Sequence, residues 1–568
     1  YSMDALVGES GVEKAFEEYL HGENGTKLIT TTSDGQITGE FYTKEPKPGN
    51  TVALTLDIDL QEDVEKALSK TIGDMTEKDG IRRGGAAVVV GVGSGEVLAL
   101  ASYPTYDISK WDEIYDTLAS DDKGAPLFNR AIGGTYAPGS TFKPCTAVAA
   151  LESGVITPST TILDRGIYDY YSSPQPRCWI YNEYGGTHGR VNVSQAITVS
   201  CNYFFYEVGR LTGIKTLDDY ATQFGLGQYT GIEIGGPNSA EAKGALASPE
   251  YAEANDLEWS DGQTLTAAIG QSYNLFTPLQ LANYIATLVG NGEHYAAHLL
   301  KNVKTYNNSA VVYAYDKDPV NVVEMQDSTV EAIKTGMHDL TTGSLSTYFS
   351  KCVVSAGAKT GTAETGVTDA NNGTFVCFAP YDDPQIAVAV VIEKGGAGAA
   401  LAETAVDILN AYFSREEIGT AIIVLIQAVP AAVYYLYIQM YGTTALGVGL
   451  LFDASDWRYW VLPVCSMSLG NVAFYAMWLR RYMVDESNKD YVRLALAKGV
   501  SENNIALRHI FRNAMVPLVQ YIPSAFLNTV VGSIYIESLY SIPGMGGLLV
   551  TCVQRHDNTM VQGIVLLY

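Results

Sequence analysis

The 568-residue chain changes character near residue 413, and that break limits what it can fold into. Before it, short apolar stretches alternate with polar and Gly-rich ones. After it, residues 419–440, 459–479 and 514–536 are mostly apolar. Each run is about the ~20 residues that a helix needs to cross a bilayer. Pro517 and Pro523 in the third run are tolerated in such helices. Charge follows the same division. From Arg415 onward there are 10 Lys+Arg and 10 Asp+Glu, against 36 and 62 in the whole chain, so the residues before Arg415 carry all of the net charge of −26. An acidic surface of this kind argues against nucleic acid as a partner, which needs a basic face. The expectation is an acidic α/β part followed by an all-α transmembrane part set in membrane lipid.

The first part has a readable element order. Residues 51–57 alternate as a strand, and 60–68 have a helical pattern. Residues 86–92 and 96–102 are apolar runs joined by Gly93-Ser94-Gly95, a hairpin signal. Residues 140–153 pattern as a helix that stops at Gly154. Residues 374–379 and 385–393 read as late strands, and 401–413 as a closing helix. An early hairpin, a helical middle and a late hairpin predict one antiparallel sheet covered by helices, spanning 51–413. Residues 1–50 hold a helical piece at 12–20 and then polar, Gly-rich loops. They are expected to be the remnant of a larger, non-catalytic N-terminal region. Seven Cys without a C-x-x-C pair point to neither a disulfide framework nor a zinc site. No metal or cofactor is expected.

Three short motifs carry chemistry. In Ser140-Thr141-Phe142-Lys143, the turn Tyr136-Ala137-Pro138-Gly139 places Ser140 at a helix start, where free N–H groups favour developing negative charge. Lys143 is three residues on, so it lies beside the serine on the same face. A serine hydroxyl needs a neighbour to take its proton, and a desolvated lysine with a lowered pKa can do so. In Ser200-Cys201-Asn202, the hydroxyl could relay a proton to a leaving amine and the amide could hold a peptide carbonyl. In Lys359-Thr360-Gly361-Thr362, an edge strand could pair with an extended peptide. Gly361 would allow close backbone approach. Lys359 adds positive charge, and the Thr360 and Thr362 hydroxyls suit a carboxylate. The N–H groups of Ser140 and Thr362 would form an oxyanion hole.

The set S-x-x-K, S-x-N and K-T-G, in this order, resembles the penicillin-binding proteins. Further stretches extend the likeness over about 1–413, among them Gly95-Glu96-Val97-Leu98, Asn129-Arg130-Ala131, His188-Gly189, Ile269-Gly270-Gln271 and Ala363-Glu364. The likeness is to the class B kind, with the transpeptidase domain and no glycosyltransferase. It implies an α+β, β-lactamase-like fold and a serine D,D-transpeptidase. Ser140 would attack the penultimate D-Ala of a peptidoglycan stem peptide, with Lys143 as base, and β-lactams would acylate the same serine. A β-lactamase or a non-catalytic penicillin sensor is the alternative within that fold. One departure is Ala358, inserted before Lys359, which bears on the strand register.

The tail, 414–568, carries a second resemblance. Residues 490–499, which include Ala495 and end at Gly499, resemble with 508–514 the cytoplasmic coupling loop of dipeptide/oligopeptide ABC transporter permeases. That implies partner ATPases and a second permease subunit docking on 490–513, and a competing reading as a transport subunit. No G-K-[ST] phosphate loop occurs, so ATP binding is not expected in this chain. The two halves conflict in topology. Seven Lys/Arg within 480–513 place that loop in the cytoplasm. The span 419–440 would then leave residues 1–413 on the cytoplasmic side, away from the cell wall. A chain that joins two gene fragments is the expected resolution. An inverted tail and a re-entrant span are the other arrangements.

Overall fold

The most apolar stretches of the first part are consecutive rather than alternating, and the computed structural model shows why. Strands β1 (Gly85–Gly91), β2 (Val97–Tyr103), β3 (Gly357–Ala363), β4 (Asn372–Ala379) and β5 (Ile386–Ile392) form one antiparallel sheet in the order β3-β4-β5-β1-β2. Both faces are covered, so the inner strands β1 and β5 are buried throughout and have no polar side. On one face, helix α1 (Ile58–Asp79) and a closing helix at 402–414 bring Leu60, Val64, Leu68, Ile408 and Leu409 against Val89, Phe375 and Val390. On the other, α2 (Lys143–Glu152), α3 (Asn202–Thr212) and α4 (Pro278–Val289) bring Val148, Phe204 and Ile285 against Val88, Val376 and Phe378. Each such side chain, fully buried, stabilises the fold by about 1.5–3 kcal/mol.

The structure describes residues 6–414 except 33, 35, 174, 238, 316, 317 and 364–370, and beyond 414 only scattered positions, the longest run being 455–466. The chain divides into two compact units, Tyr1–Phe413 and Ser414–Tyr568. Among the described residues no helix is long and apolar enough to cross a membrane. The runs 419–440 and 514–536 apart from Tyr435 and Met515, residues 467 and 469–479 of the middle run, and the whole of 490–509 with Ala495 and Gly499 lie outside the described residues.

Several elements differ from the sequence reading. Helix α1 extends eleven residues past 68, to Asp79, because Ile72 continues its buried stripe. The Asp57 carboxylate caps its start by accepting from the Asp59 and Leu60 N–H groups, and Gly80, left-handed at φ +72°, ends it. Thr26–Thr31 and Ile37–Lys44 pair as an antiparallel hairpin where loops were expected. Its Leu28, Ile29, Phe41 and Tyr42 are exposed, so no buried face marks it as a strand pair in the pattern. Ala358 does not disturb β3: its pairing with β4 runs unbroken from Gly357↔Phe378 to Ala363↔Asn372.

Candidate active site

Three segments far apart in the chain meet beside β3. The first is a single 3-10 turn, Gly139–Phe142, that runs into α2. The sequence reading had one helix from 140. Lys143 instead begins the α-helix, with Pro144 in its first turn, where a missing N–H costs nothing. The turn is pinned through the Pro138 carbonyl, which accepts from Thr141 Oγ1 at 2.8 Å and from Thr374 Oγ1 of β4 at 2.9 Å. Gly139 has φ +55°, and a Cβ there would lie 2.7 Å from the Thr362 carbonyl oxygen, so a side chain has neither conformation nor room. Ser140 is half-buried.

The second segment is Ser200-Cys201-Asn202. Ser200 holds φ +53°, a left-handed conformation rare for a residue with a side chain and typical of functional sites. Cys201 follows as the N-cap of α3, its sulfur accepting from the Phe204 N–H at 3.4 Å. The third is the second half of β3.

Two lysines, both fully buried, join the segments. Lys143 Nζ donates to Asn202 Oδ1 at 2.7 Å, to the Ser200 carbonyl at 2.9 Å and to Ser200 Oγ at 3.2 Å. Lys359 Nζ donates to the same Ser200 Oγ at 3.0 Å and to the Thr360 carbonyl at 3.0 Å. Their hydrogen-bond partners are neutral, and the opposing pull of the Cys201 and Cys178 sulfurs on Lys143 is smaller than the cost of desolvation. Burial pushes Lys143 down to about 8. It pushes Lys359 well below the ordinary lysine range, with the charge of Lys143 adding to the effect. A hydroxyl oxygen has two lone pairs and one hydrogen. Both lysine amino groups therefore contact the same Ser200 oxygen, close enough to exchange a proton with it.

The edge of β3 faces the cleft with alternate residues. In an antiparallel pair, the N–H and C=O of one residue point to the same side. The Thr362 carbonyl accepts from Gln271 Nε2 at 3.0 Å, and the Thr360 carbonyl from Lys359, neither of them on β4. Thr360 and Thr362 therefore turn their N–H groups to the open edge, while Gly361 turns towards β4. The Cβ position of Gly139 lies 3.2 Å from the Thr362 nitrogen, so the turn that carries Ser140 packs against the Thr362 peptide. A developing oxyanion would need the Ser140 and Thr362 N–H groups aimed at one point beside this contact. All eight residues singled out within 1–413 thus converge: Ser140, Lys143, Ser200, Asn202, Lys359, Thr360, Gly361 and Thr362.

A second cluster was not foreseen. Cys201 turns away from the lysines, and its sulfur is 4.0 Å from Cys178 Sγ and 3.6 Å from Asp164 Oδ2. His188 Nδ1 is 2.9 Å from Asp164 Oδ2 and 3.4 Å from Cys178 Sγ. One donor atom from each of the four lies within 4.8 Å of all the others, close enough to hold a metal ion. Two thiols, an imidazole and a carboxylate are zinc-type donors, and the buried His188 Nε2 has no hydrogen-bond partner. The contact between the thiols pushes Cys178 down and Cys201 up, so one thiolate is favoured over two. The expectation drawn from the missing C-x-x-C pair considered local spacing alone, which cannot register such a cluster. The four residues span 164–201 and are gathered by tertiary structure rather than by local spacing. Gln271 was likewise quoted only as part of a resembling stretch, with no role attached.

Comparison with known proteins agrees with this geometry. Residues 85–410 match the family model of the penicillin-binding protein transpeptidase domain, and residues 1–54 that of the penicillin-binding protein dimerisation domain. Residues 396–568 match that of the inner membrane component of binding-protein-dependent transport systems. The peptidoglycan D,D-transpeptidase MrdA of Escherichia coli (strain K12) is 32% identical over 426 residues, covering 71% of this chain and 64% of the relative. Penicillin-binding protein 2A of Bacillus subtilis is 30% identical, covering 69% of this chain and 55% of the relative. The chain thus spans less than two thirds of the length of these curated relatives. Among solved structures, Pseudomonas aeruginosa PBP2 in complex with WCK 5153 has a TM-score of 0.61 at 30% identity, covering 72% of this chain and 83% of that one. PBP2 of Helicobacter pylori in its complex with MreC has a TM-score of 0.60 at 26% identity, covering 72% of each chain.

Proposed function

The chain belongs to the penicillin-binding protein transpeptidase family, and from that membership we propose that residues 51–413 are an acyl-serine D,D-transpeptidase of class B. Its substrates are peptidoglycan stem peptides, and β-lactams acylate it. The observation that carries this reading is the pair of buried lysines converging on Ser200, one of them held near pKa 8. A lysine of that kind accepts a proton near neutral pH without histidine or carboxylate.

The chemistry follows from the contacts. Ser140 Oγ attacks the carbonyl carbon of the penultimate D-Ala, and its proton passes to neutral Lys143. The N–H groups of Ser140 and Thr362 receive the oxyanion. As the C–N bond breaks, the leaving D-Ala amine takes the hydrogen of Ser200, which Lys143 replaces. The product is an ester on Ser140. A second amine attacks that ester, the proton path runs in reverse, and Ser140 departs with its hydrogen restored. Asn202 and Lys359 hold Lys143 and Ser200 in place. The open edge of β3 at Thr360 and Thr362 pairs with the extended peptide.

Labelling with a fluorescent penicillin, followed by peptide mapping, tests the reading on the whole chain. A persistent adduct on Ser140, abolished in Ser140→Ala, is expected. Rapid turnover of the penicillin would move the assignment to a β-lactamase, and an adduct elsewhere would sink it.

Residues 1–50 are proposed to be the end of a non-catalytic N-terminal region, which the dimerisation-domain match supports. Residues 414–568 are proposed to be a partial ABC permease, supported by the transport-component match, with Ala495 and Gly499 in its ATPase-coupling loop. The proposed setting is the cell membrane, with the transpeptidase unit on the outer side where its substrate lies. Sequencing across the codons for 413–418 checks the join: two separate reading frames are expected, and one uninterrupted transcript would count against it.

A further inference from the structure

Between the end of the helix Asp261–Ala268 and Asn274 lies a short backbone strap that touches both halves of the oxyanion hole. Its Gly270 carbonyl accepts from the Gly139 N–H at 2.8 Å, next to Ser140. Its Gln271 side chain donates from Nε2 to the Thr362 carbonyl at 3.0 Å, across 91 residues of sequence. We propose that Gln271 is a positioning residue for the oxyanion hole. Its side-chain amide fixes the direction of the Thr362 N–H, while the adjoining Gly270 fixes the turn that presents the Ser140 N–H. This inference rests on the acyl-serine reading above.

The reasoning is geometric. The N–H and C=O of Thr362 leave the strand on the same side, so anchoring the carbonyl sets the tilt of the amide. Thr362 is next to the last residue of β3, where the ladder to β4 ends at Ala363↔Asn372. A strand end held from one side only can swing, and Gln271 supplies the hold from the other side. The strap itself is tightly determined. The Ile269 N–H donates to the Thr266 carbonyl at 3.3 Å, the Gly270 N–H to Ala267 at 2.9 Å and the Gln271 N–H to Thr266 at 3.0 Å. Gly270 has φ +76°, and a Cβ there would lie 2.1 Å from the Gly139 carbonyl oxygen. Ser272 has φ +63° although it is not glycine, and its hydroxyl is tied to Gln263 Oε1 at 2.9 Å. Two left-handed residues therefore flank Gln271, one of them with a side chain. Strain of this kind persists where the surroundings impose it, and it collects at functional sites. A glutamine that only filled space there would need no donor aimed at a strand carbonyl.

The test uses Q271M, close in shape but without the N–H donors, and Q271E, which places a carboxylate oxygen against the Thr362 carbonyl. Acylation of the full chain by a penicillin is separated into the dissociation constant of the initial complex and the rate constant of acylation. Affinity for a peptidyl boronate, whose adduct on Ser140 places an oxygen in the same hole, is measured alongside. Losing one oxyanion donor outright costs about 10²–10³-fold, so leaving it in place but loose is expected to slow acylation by about ten-fold. Boronate affinity should fall in step, with the initial complex within about two-fold of wild type. Q271E should be at least as slow as Q271M. The proposal is overturned if both variants acylate within about two-fold of wild type. It is equally overturned if rate, initial binding and melting temperature all fall together in both variants, which marks a purely structural role. A wild-type chain that forms no Ser140 adduct fails the acyl-serine reading itself, and so is told apart from either result.

Discussion

Ser200 and Asn202 belong to one cluster, and Cys201 between them to another, because successive residues of that segment turn to opposite sides. The two clusters are built on opposite electrostatic terms. In front, two buried ammonium groups share neutral oxygens, and burial drives both towards losing a proton. Behind, an acid, two thiols and an imidazole gather with no Lys or Arg bonded to any of them among the described residues. In the front, burial outweighs the partial offset from the Cys201 and Cys178 sulfurs, the condition that the proposed base needs. The back has donors suited to a cation, which makes an anchor. One residue step thus separates a site poised to move a proton from one poised to stay still.

The largest expected effect comes from breaking the front. Lys143→Ala should slow acylation by a penicillin by about 10²–10⁴-fold, the range of a general base. A loss under ten-fold in stopped-flow measurements would show that another group takes the proton. The pH profile sharpens the same point. On the proposed mechanism Lys143 acts in its neutral form, so acylation should rise about ten-fold per pH unit below 8 and level off above it. A flat profile would break the contrast. Stability carries the same sign. Folded Lys143 titrates near 8 and the unfolded residue near 10.5, so the unfolded chain binds more protons in that window. The unfavourable contribution of this group is therefore relieved as pH rises from 8 to 10.5, which equilibrium unfolding at several pH values measures.

Breaking the back should cost less. Cys201→Ala removes the sulfur from Phe204, Cys178 and Asp164. A buried change of this kind costs about 1–3 kcal/mol of stability, and the loosened loop is expected to slow acylation by about ten-fold. No change in either would detach the two clusters. The smallest effect is that of a strong zinc chelator on the wild-type chain: a metal held by the back cluster would make it lower the melting temperature by a few degrees, with little change in the acylation rate of protein still folded. An unchanged melting temperature together with no bound metal by elemental analysis would leave the back cluster a hydrogen-bonded anchor alone.

The front cluster was legible in the sequence because three short motifs in this order, with their flanking stretches, resemble the penicillin-binding proteins; each alone reads as readily as a helix cap or a strand end. A serine and a lysine three apart share one side of a turn, and a serine and an asparagine two apart straddle a third residue. The sheet was legible from runs such as Val88-Val89-Val90 and Val388-Ala389-Val390. The back cluster was not, because Asp164, Cys178, His188 and Cys201 have no common period and meet only once the fold closes. Gln271 escaped for the same reason: its partner Thr362 is on another element. The hairpin at 26–44 escaped because neither of its faces is buried within this unit. Apolar periodicity reports burial, and here there was none to report.

The crowding of Gly139, Gly270 and the Thr362 carbonyl also has an evolutionary side. A substitution at either glycine meets backbone atoms within about 3 Å at once. It cannot be approached through a series of mild intermediates. If β-lactams and stem peptides compete for the same two amides, a lineage under drug selection is barred from adjusting the point at which they are most alike. Heritable variation is steered instead to the cleft walls, where a drug and a peptide differ in shape.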